Sequence, residues 1–236
     1  MKKLKIWHVV FIIAAIIIVD QVLKIWIKTN HPTGEVTRVM GMNWFRLHFI
    51  ENSGMAWGWK FGNETGKMIL TLFRLAAVIF GTWYLGRIVK QEYKRGFIVC
   101  AALIYAGALG NLIDSMFYGM IFDKGLSFDA ATAEYIQYSG VAHFSSSGYS
   151  SFLHGSVVDM LYFPMFKGHF PSWFPFVGGD DFEFFSAIFN IADASISIGV
   201  ITLLLFQKRF FKKNSPEEIH STVETSTEVS DKVQVL

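Results

Sequence analysis

Four stretches of the chain are almost continuously apolar, and each is about as long as the roughly 20 residues a helix needs to cross a bilayer core. They run from about Ile6 to Ile27, Met68 to Val89, Gly96 to Tyr118 and Phe185 to Phe206. The pattern predicts a membrane all-α fold of four transmembrane helices. The first stretch resembles a signal-peptide core behind Lys2, Lys3 and Lys5, but it is long, lacks a small-residue cleavage pattern and carries Asp20 and Lys24. It is read as a retained helix.

The segments between the helices follow a second pattern. Lys and Arg flank the spans on alternate sides: Lys2, Lys3 and Lys5 before the first, Arg87, Lys90, Lys94 and Arg95 between the second and third, and Lys208, Arg209, Lys212 and Lys213 after the fourth. Basic residues stay inside, so both termini are expected in the cytoplasm and residues 28–67 and 119–184 outside. Both external connections are far longer than a turn requires. The first contains VTRVM (Val36 to Met40) and NWFRLHFI (Asn43 to Ile50), β-branched and aromatic runs broken by Gly41, Asn52, Gly54 and Gly62, which predict a small β-sheet on the membrane surface. Trp44, Phe45, Trp57 and Trp59 suit either the headgroup layer or packing within that sheet. The second holds SSSGYSS (Ser145 to Ser151) and GHFPSWFPF (Gly168 to Phe176) and is expected to be an irregular loop dipping toward the interface. Residues 1–213 form one membrane domain, and the polar stretch 214–236 reads as a disordered cytoplasmic tail.

Composition narrows the class. With 52% of its 236 residues apolar, the chain has too little polar surface to coat a soluble domain. A net charge of +2 offers no cationic face for nucleic acid. Cys100 is the only cysteine, so no intrachain disulfide holds the external part, and the residue reads as a small buried hydrophobe.

Polar residues inside the spans each require a reason, because an ionisable group in hydrocarbon costs several kcal/mol unless paired or hydrated. They gather toward one side: Asp20, Gln21 and Lys24 in the first span, Asn111 and Asp114 in the third, Asn190 and Asp193 entering the fourth. Asp20 and Lys24, four apart, share a helix face and are read first as a structural ion pair. Asn111 with Asp114 and Asn190 with Asp193 repeat one spacing that puts both side chains on one face. Two such faces could meet, as an interhelical hydrogen-bond clamp or as part of a site.

Asp159 lies in GSVVDMLYF (Gly155 to Phe163), enclosed by apolar neighbours at the close of the long external segment. Set against Asp193, it would be desolvated and face a like charge; both effects favour one shared proton near neutral pH. That is the electrostatic condition for aspartyl protease chemistry, one carboxylate activating water while its protonated partner polarises the scissile carbonyl. There is no HExxH, no Cys and His cluster at metal-ligand spacing and no phosphate-binding glycine loop. Serine chemistry with His143 or His154 lacks a nucleophile elbow. An ion or proton pathway and a non-catalytic helix clamp are the remaining alternatives.

Taken together, five blocks resemble the lipoprotein signal peptidase (signal peptidase II) family: DQVLK (Asp20 to Lys24), ENSGMAWG (Glu51 to Gly58), GALGNLIDS (Gly107 to Ser115), VVDM (Val157 to Met160) and FNIADASISIG (Phe189 to Gly199). Each is weak alone; five in order across four spans are specific, and the resemblance covers about residues 6 to 207. It implies four transmembrane helices with an external β-sheet cradle. It also implies an aspartic endopeptidase of the bacterial inner membrane, active near the outer leaflet, that removes the signal peptide from diacylglyceryl-modified prolipoproteins just before the lipidated cysteine. Asp159 and Asp193 would be the catalytic dyad; Asn52, Gly54, Asn111, Asp114, Asn190 and Ala192 would line or support the site, and Asp20 with Lys24 would shape its wall. Neither metal nor cofactor is implied; lipid and prolipoprotein are the implied partners, and a monomer is expected.

Two departures stand out. Where the family usually has Arg after the Asp of the third block, this chain has Ser115, leaving Arg74 or Arg46 as possible substitutes. Residues Met120 to Ser156 are an insertion between the third and fourth blocks, for which a lid, a lipid-contacting loop and a variable loop without function all fit.

Overall fold

A computed structural model describes residues 4–52, 64–129, 131–132 and 134–211. Gly54, Trp57, Trp59 and the expected tail from 214 onward lie outside the described residues. Among the described residues three helices are long and apolar enough to cross a bilayer: α1 (Ile6–Asn30), α2 (Glu64–Lys90) and α3 (Arg95–Ile113). The last continues through a π-helical turn (Asp114–Tyr118) into the short α4 (Gly119–Ile121). A fourth apolar helix, α5 (Ile191–Leu205), is shorter and is followed by α6 (Gln207–Phe211). Large apolar side chains such as Phe11, Phe73, Phe80 and Leu205 stand exposed on these helices, as hydrocarbon-facing residues do.

The fourth apolar run does not become helix where it begins. Ile188–Phe189 form a strand, and Asn190, extended at ψ 179, caps the helix that starts at Ile191. Capping chemistry, rather than apolarity, sets the boundary. At the opposite end, Val9, Leu85, Ile88, Phe97 and Ile98 pack together, and Lys94 donates to the Arg209 carbonyl. The basic residues Arg87, Lys90, Lys94, Arg95 and Arg209 therefore gather at the end away from the sheet.

That sheet has four antiparallel strands in the order β1 (Val36–Arg38), β2 (Arg46–Asn52), β5 (Val157–Tyr162), β8 (Ile188–Phe189). The first external segment supplies only half of it, and a 3₁₀ turn (Val39–Gly41) ends β1 before Met40. The second external segment is more regular than its composition predicts. It holds β3 (Ser127–Asp129) paired with β4 (Glu134–Ile136), the strand β5, and a hairpin of β6 (Phe166–His169) and β7 (Asp181–Phe184). Pairing compensates for the turn-rich composition: β5 is held by β2, and β3 with β4 and β6 with β7 are held by each other. In the β6–β7 hairpin Phe166 pairs with Phe184 while Lys167 pairs with Glu183, giving one aromatic and one charged face.

Close approach of α3 and α5 depends on small residues. A Cβ at Gly107 would lie 2.2 Å from the Ala192 carbonyl, and one at Gly199 2.8 Å from the Cys100 carbonyl. The insertion, meanwhile, is bound into the core. Lys28, fully buried at the end of α1, pairs with Glu51 of β2 and donates to the Lys124 carbonyl at 2.9 Å, beneath the rings of Phe122, Tyr138 and Tyr149. Glu51 also accepts from the Leu126 amide at 2.9 Å. Phe122 and Ala142 join Ile27, Phe49, Val158 and Met160 in one cluster.

Two outcomes follow for thermal melting in detergent. Gly107→Ala forces backbone apart and lowers stability by about 1–3 kcal/mol, whereas Gly86→Ala, with nothing within 4 Å, leaves it unchanged or slightly raised. Glu51→Leu strands the Lys28 charge and lowers stability by about 3–5 kcal/mol; the double change Lys28→Met with Glu51→Leu recovers most of that loss.

Candidate active site

The site grows from the start of α5. The first amides of a helix lack partners inside it, and here side chains supply them. Asn190 Oδ1 accepts from the Asp193 amide at 2.8 Å, and Asp193 Oδ2 accepts from the Asn190 amide at 3.3 Å. Asp20, arriving from α1, accepts from the Ala192 amide at 2.9 Å. Asp193 is thereby fixed in the first turn, where the helix dipole favours negative charge.

The polar face of α1 meets α3 beneath this cap. Lys24, fully buried, spends its three donors on Asp20 (2.8 Å), Asp114 (2.8 Å) and Asn111 Oδ1 (2.9 Å). Gln21 donates to Asp114 at 2.8 Å and accepts from Tyr118 at 3.1 Å. With its oxygen held by Lys24, the Asn111 amide turns to Asp193 and donates at 2.7 Å. The expected Asp20 and Lys24 pair is present, and the two Asn-x-x-Asp faces do meet.

The sheet brings the second carboxylate. Asp159 sits on β5, opposite Ile50 of β2, with Asn52 diagonally across on the same face and donating to it at 3.2 Å. Among the described residues the edge of β5 beyond the short β8 has no backbone partner, and side chains take its groups: the Val158 amide reaches Asp114 at 3.3 Å, and its carbonyl lies 3.2 Å from Asn190 Nδ2. The same Asn190 amide donates to Asp159 at 2.7 Å. One asparagine therefore holds both carboxylates, Asp159 through its side chain and Asp193 through its backbone. Asp159 is 3% exposed; burial first, then the Asp193 charge, push its carboxyl up to about 7 from the ordinary 3.8, against the pull of Asn52, Lys24 and Asn190. Among the described residues no group of three His, Cys, Asp or Glu is placed to hold a metal.

A family model described as Signal peptidase (SPase) II matches residues 12–209. The chain belongs to the signal peptidase II family. It is 43% identical over 201 residues to the lipoprotein signal peptidase of Porphyromonas gingivalis, covering 84% of this chain and 81% of that protein. It is 30% identical over 227 residues to that of Amoebophilus asiaticus, covering 95% and 87%. A solved structure described as a bacterial membrane enzyme, obtained by the in meso method, superposes with a TM-score of 0.54 at 25% identity over 91% of this chain and 96% of its own. Membership makes this chain a peptidase of the membrane.

For a signal peptidase II, several features escape its motif blocks. Of the residues those blocks single out, the structure brings together Asp159, Asp193, Asp20, Lys24, Asn52, Asn111, Asp114, Asn190 and the Ala192 backbone; Gly54 lies outside the described residues. Gln21 is a further member, legible from its place inside the DQVLK block. Lys28 extends the Asp20 and Lys24 face by one more step of four. Of the two arginines, Arg74 from α2 donates to Ser115 Oγ at 3.0 Å, while Arg46 donates to the Asn43 carbonyl at 3.0 Å within the external part.

Removing the Asp193 charge tests the electrostatics. In Asp193→Asn the Asp159 carboxyl, followed by ¹³C NMR, titrates below about 7 because its second-largest cause is gone; it stays above 3.8 because burial, the largest, remains.

Proposed function

We propose that the chain is an aspartic endopeptidase that removes the signal peptide from diacylglyceryl-modified prolipoproteins, cutting just before the lipidated cysteine, with Asp159 and Asp193 as its catalytic pair. The observation that carries this reading is Asn190 holding both carboxylates at one helix terminus, where sheet and membrane helices join. The names of the relatives support the substrate class.

The chemistry follows from one proton shared by two acids. The ionised carboxylate takes a proton from water as the water oxygen bonds to the scissile carbonyl carbon, and the protonated carboxyl donates to the carbonyl oxygen. In the resulting diol the carbon–nitrogen bond breaks, the departing amine of the cysteine receives a proton, and a new carboxyl forms on the signal peptide. Asn111, Asn190 and Asn52 hold the acids, Asp20 and Asp114 balance Lys24 behind them, and the small Ala192 keeps the entry of α5 close to α3. No metal or cofactor is needed. The basic ends of the helices face the cytoplasm and the sheet faces outward, which puts the acids at the outer leaflet where a diacylated cysteine sits. Exposed aromatics on the external hairpin, Trp173 and Phe176 among them, suit that lipid boundary.

Asp159→Asn and Asp193→Asn each lower cleavage of a lipidated precursor in vesicles by about a hundredfold to ten-thousandfold while leaving the protein folded. In the wild type the rate falls as pH rises through about 7, where the shared proton leaves. Full turnover by either variant would overturn Asp159 and Asp193 as the catalytic pair.

A further inference from the structure

At the end of the bundle opposite the sheet, α3 begins against the electrostatics of a helix. The first turn is a helix's positive end and favours an acid or a capping oxygen. Here Lys94 stands at the cap without a side-chain bond, Arg95 follows, and the first turn holds no acid. A third cation comes from α6. Lys94 donates to the Arg209 carbonyl at 2.5 Å, which draws α6 over the start of α3. Gly96 admits the Phe210 ring beside them, since a Cβ at that position would lie 2.6 Å from it.

Lys94, Arg95, Gly96, Phe206, Arg209 and Phe210 line a cavity of about 520 Å³, within the roughly 300–1,000 Å³ of small-molecule sites. That lining carries three cations and no acid. Arg95 Nε is buried and has no hydrogen-bond partner among the described residues, a costly state for a charged donor. The positive-inside bias explains why cations lie at this end. It does not explain their convergence on one cavity at the positive end of a helix, where like charges are relieved only by an anion. The rest of the wall is apolar: Phe210 meets Phe97 edge-on, and Phe206 and Leu205, 46% and 74% exposed, carry it onto the hydrocarbon-facing side of α5. A phosphate among the cations, with acyl chains leaving along these exposed residues, is the chemistry of an anionic lipid. We propose that the cavity binds the phosphate head group of an anionic phospholipid in the cytoplasmic leaflet, held by Arg95, Arg209 and the start of α3. The assignment goes beyond the peptidase reading and uses only the membrane orientation proposed with it.

The test is native mass spectrometry of the full chain in a neutral detergent, with dioleoyl phosphatidylglycerol, dioleoyl phosphatidylcholine or glycerol phosphate added. Phosphatidylglycerol binds at least about tenfold more tightly than phosphatidylcholine, and glycerol phosphate does not displace it. Arg95→Gln and Arg209→Gln each weaken phosphatidylglycerol about fivefold, the worth of one cation at a lipid surface, whereas Lys90→Gln, at the same end but outside the lining, changes it less than about twofold. Equal affinity for the two lipids overturns the proposal. So does a loss in Lys90→Gln equal to that in Arg95→Gln, which would assign binding to diffuse positive charge. Full displacement by glycerol phosphate would make this a site for a free phosphate and overturns the lipid assignment. A wild type that takes up no lipid, the result expected if residues 212–236 with Glu217 and Glu218 fill the cavity instead, overturns it too. Should Arg95→Gln not be recovered folded, Arg209→Gln, a change at an exposed residue, decides by the same comparison with Lys90→Gln. Because the readout is lipid binding and not cleavage, its failure leaves the peptidase reading untouched.

Discussion

A buried ammonium has three donors and no tolerance for leaving one unpaired, and Lys24 meets that demand with groups from two helices. Asp20 comes from its own helix, Asp114 and Asn111 from α3. Because Lys24 takes the Asn111 oxygen, the Asn111 amide has one orientation left, toward Asp193. Because it takes one oxygen of Asp20, the other is free to accept from the Ala192 amide. The position of α5 is thus set by the second valences of groups whose first valences satisfy a single charge. The site is rigid for the same reason that it is costly.

The sheet is tied to this frame by its own unmet needs. β8 is too short to cover the edge of β5, so the amide and carbonyl of Val158 lack strand partners and are met by Asp114 and Asn190. A strand edge that would otherwise be open is registered against helix termini to within a hydrogen bond. Asp159, next along the strand, inherits that registration. This is how two acids 34 positions apart in sequence, Asp159 and Asp193, come to share Asn190.

Much of this was legible in the residues because the bilayer penalises polarity so heavily. Asp20, Lys24, Asn111, Asp114, Asn190 and Asp193 stand out only against apolar neighbours, and their spacings of three and four state which face each occupies. The start of α5 was misplaced because periodicity measures apolarity, and Ile188 and Phe189 are as apolar as the helix that follows; the deciding signal was Asn190, a strong cap three residues before an acid. The strands between Ser127 and Phe184 were hidden for a different reason. Segments rich in Gly, Ser and Pro have little strand preference, and β5 exists because β2 is present to pair with it, a contact across more than 100 residues that no local window contains. The partner of Arg74 was equally illegible: α2 and α3 are adjacent in sequence, but only their packing brings Arg74, rather than Arg46, to Ser115.

The insertion obeys the same rule as the site. Asp20, Lys24 and Lys28 succeed one another at steps of four along α1, so each cation lies one turn farther toward the external end. Lys24 is enclosed by helices, but Lys28 is at the last turn, where in a shorter protein water would solvate it. Here Glu51, the Lys124 carbonyl and the rings of Phe122, Tyr138 and Tyr149 take the place of that water. Four of these five come from the insertion. Glu51 is the residue before Asn52, which holds Asp159, so the Lys28 enclosure and the pair meet on neighbouring residues of β2. The buried charge thereby ties the insertion to β2, the strand that also carries Asn52.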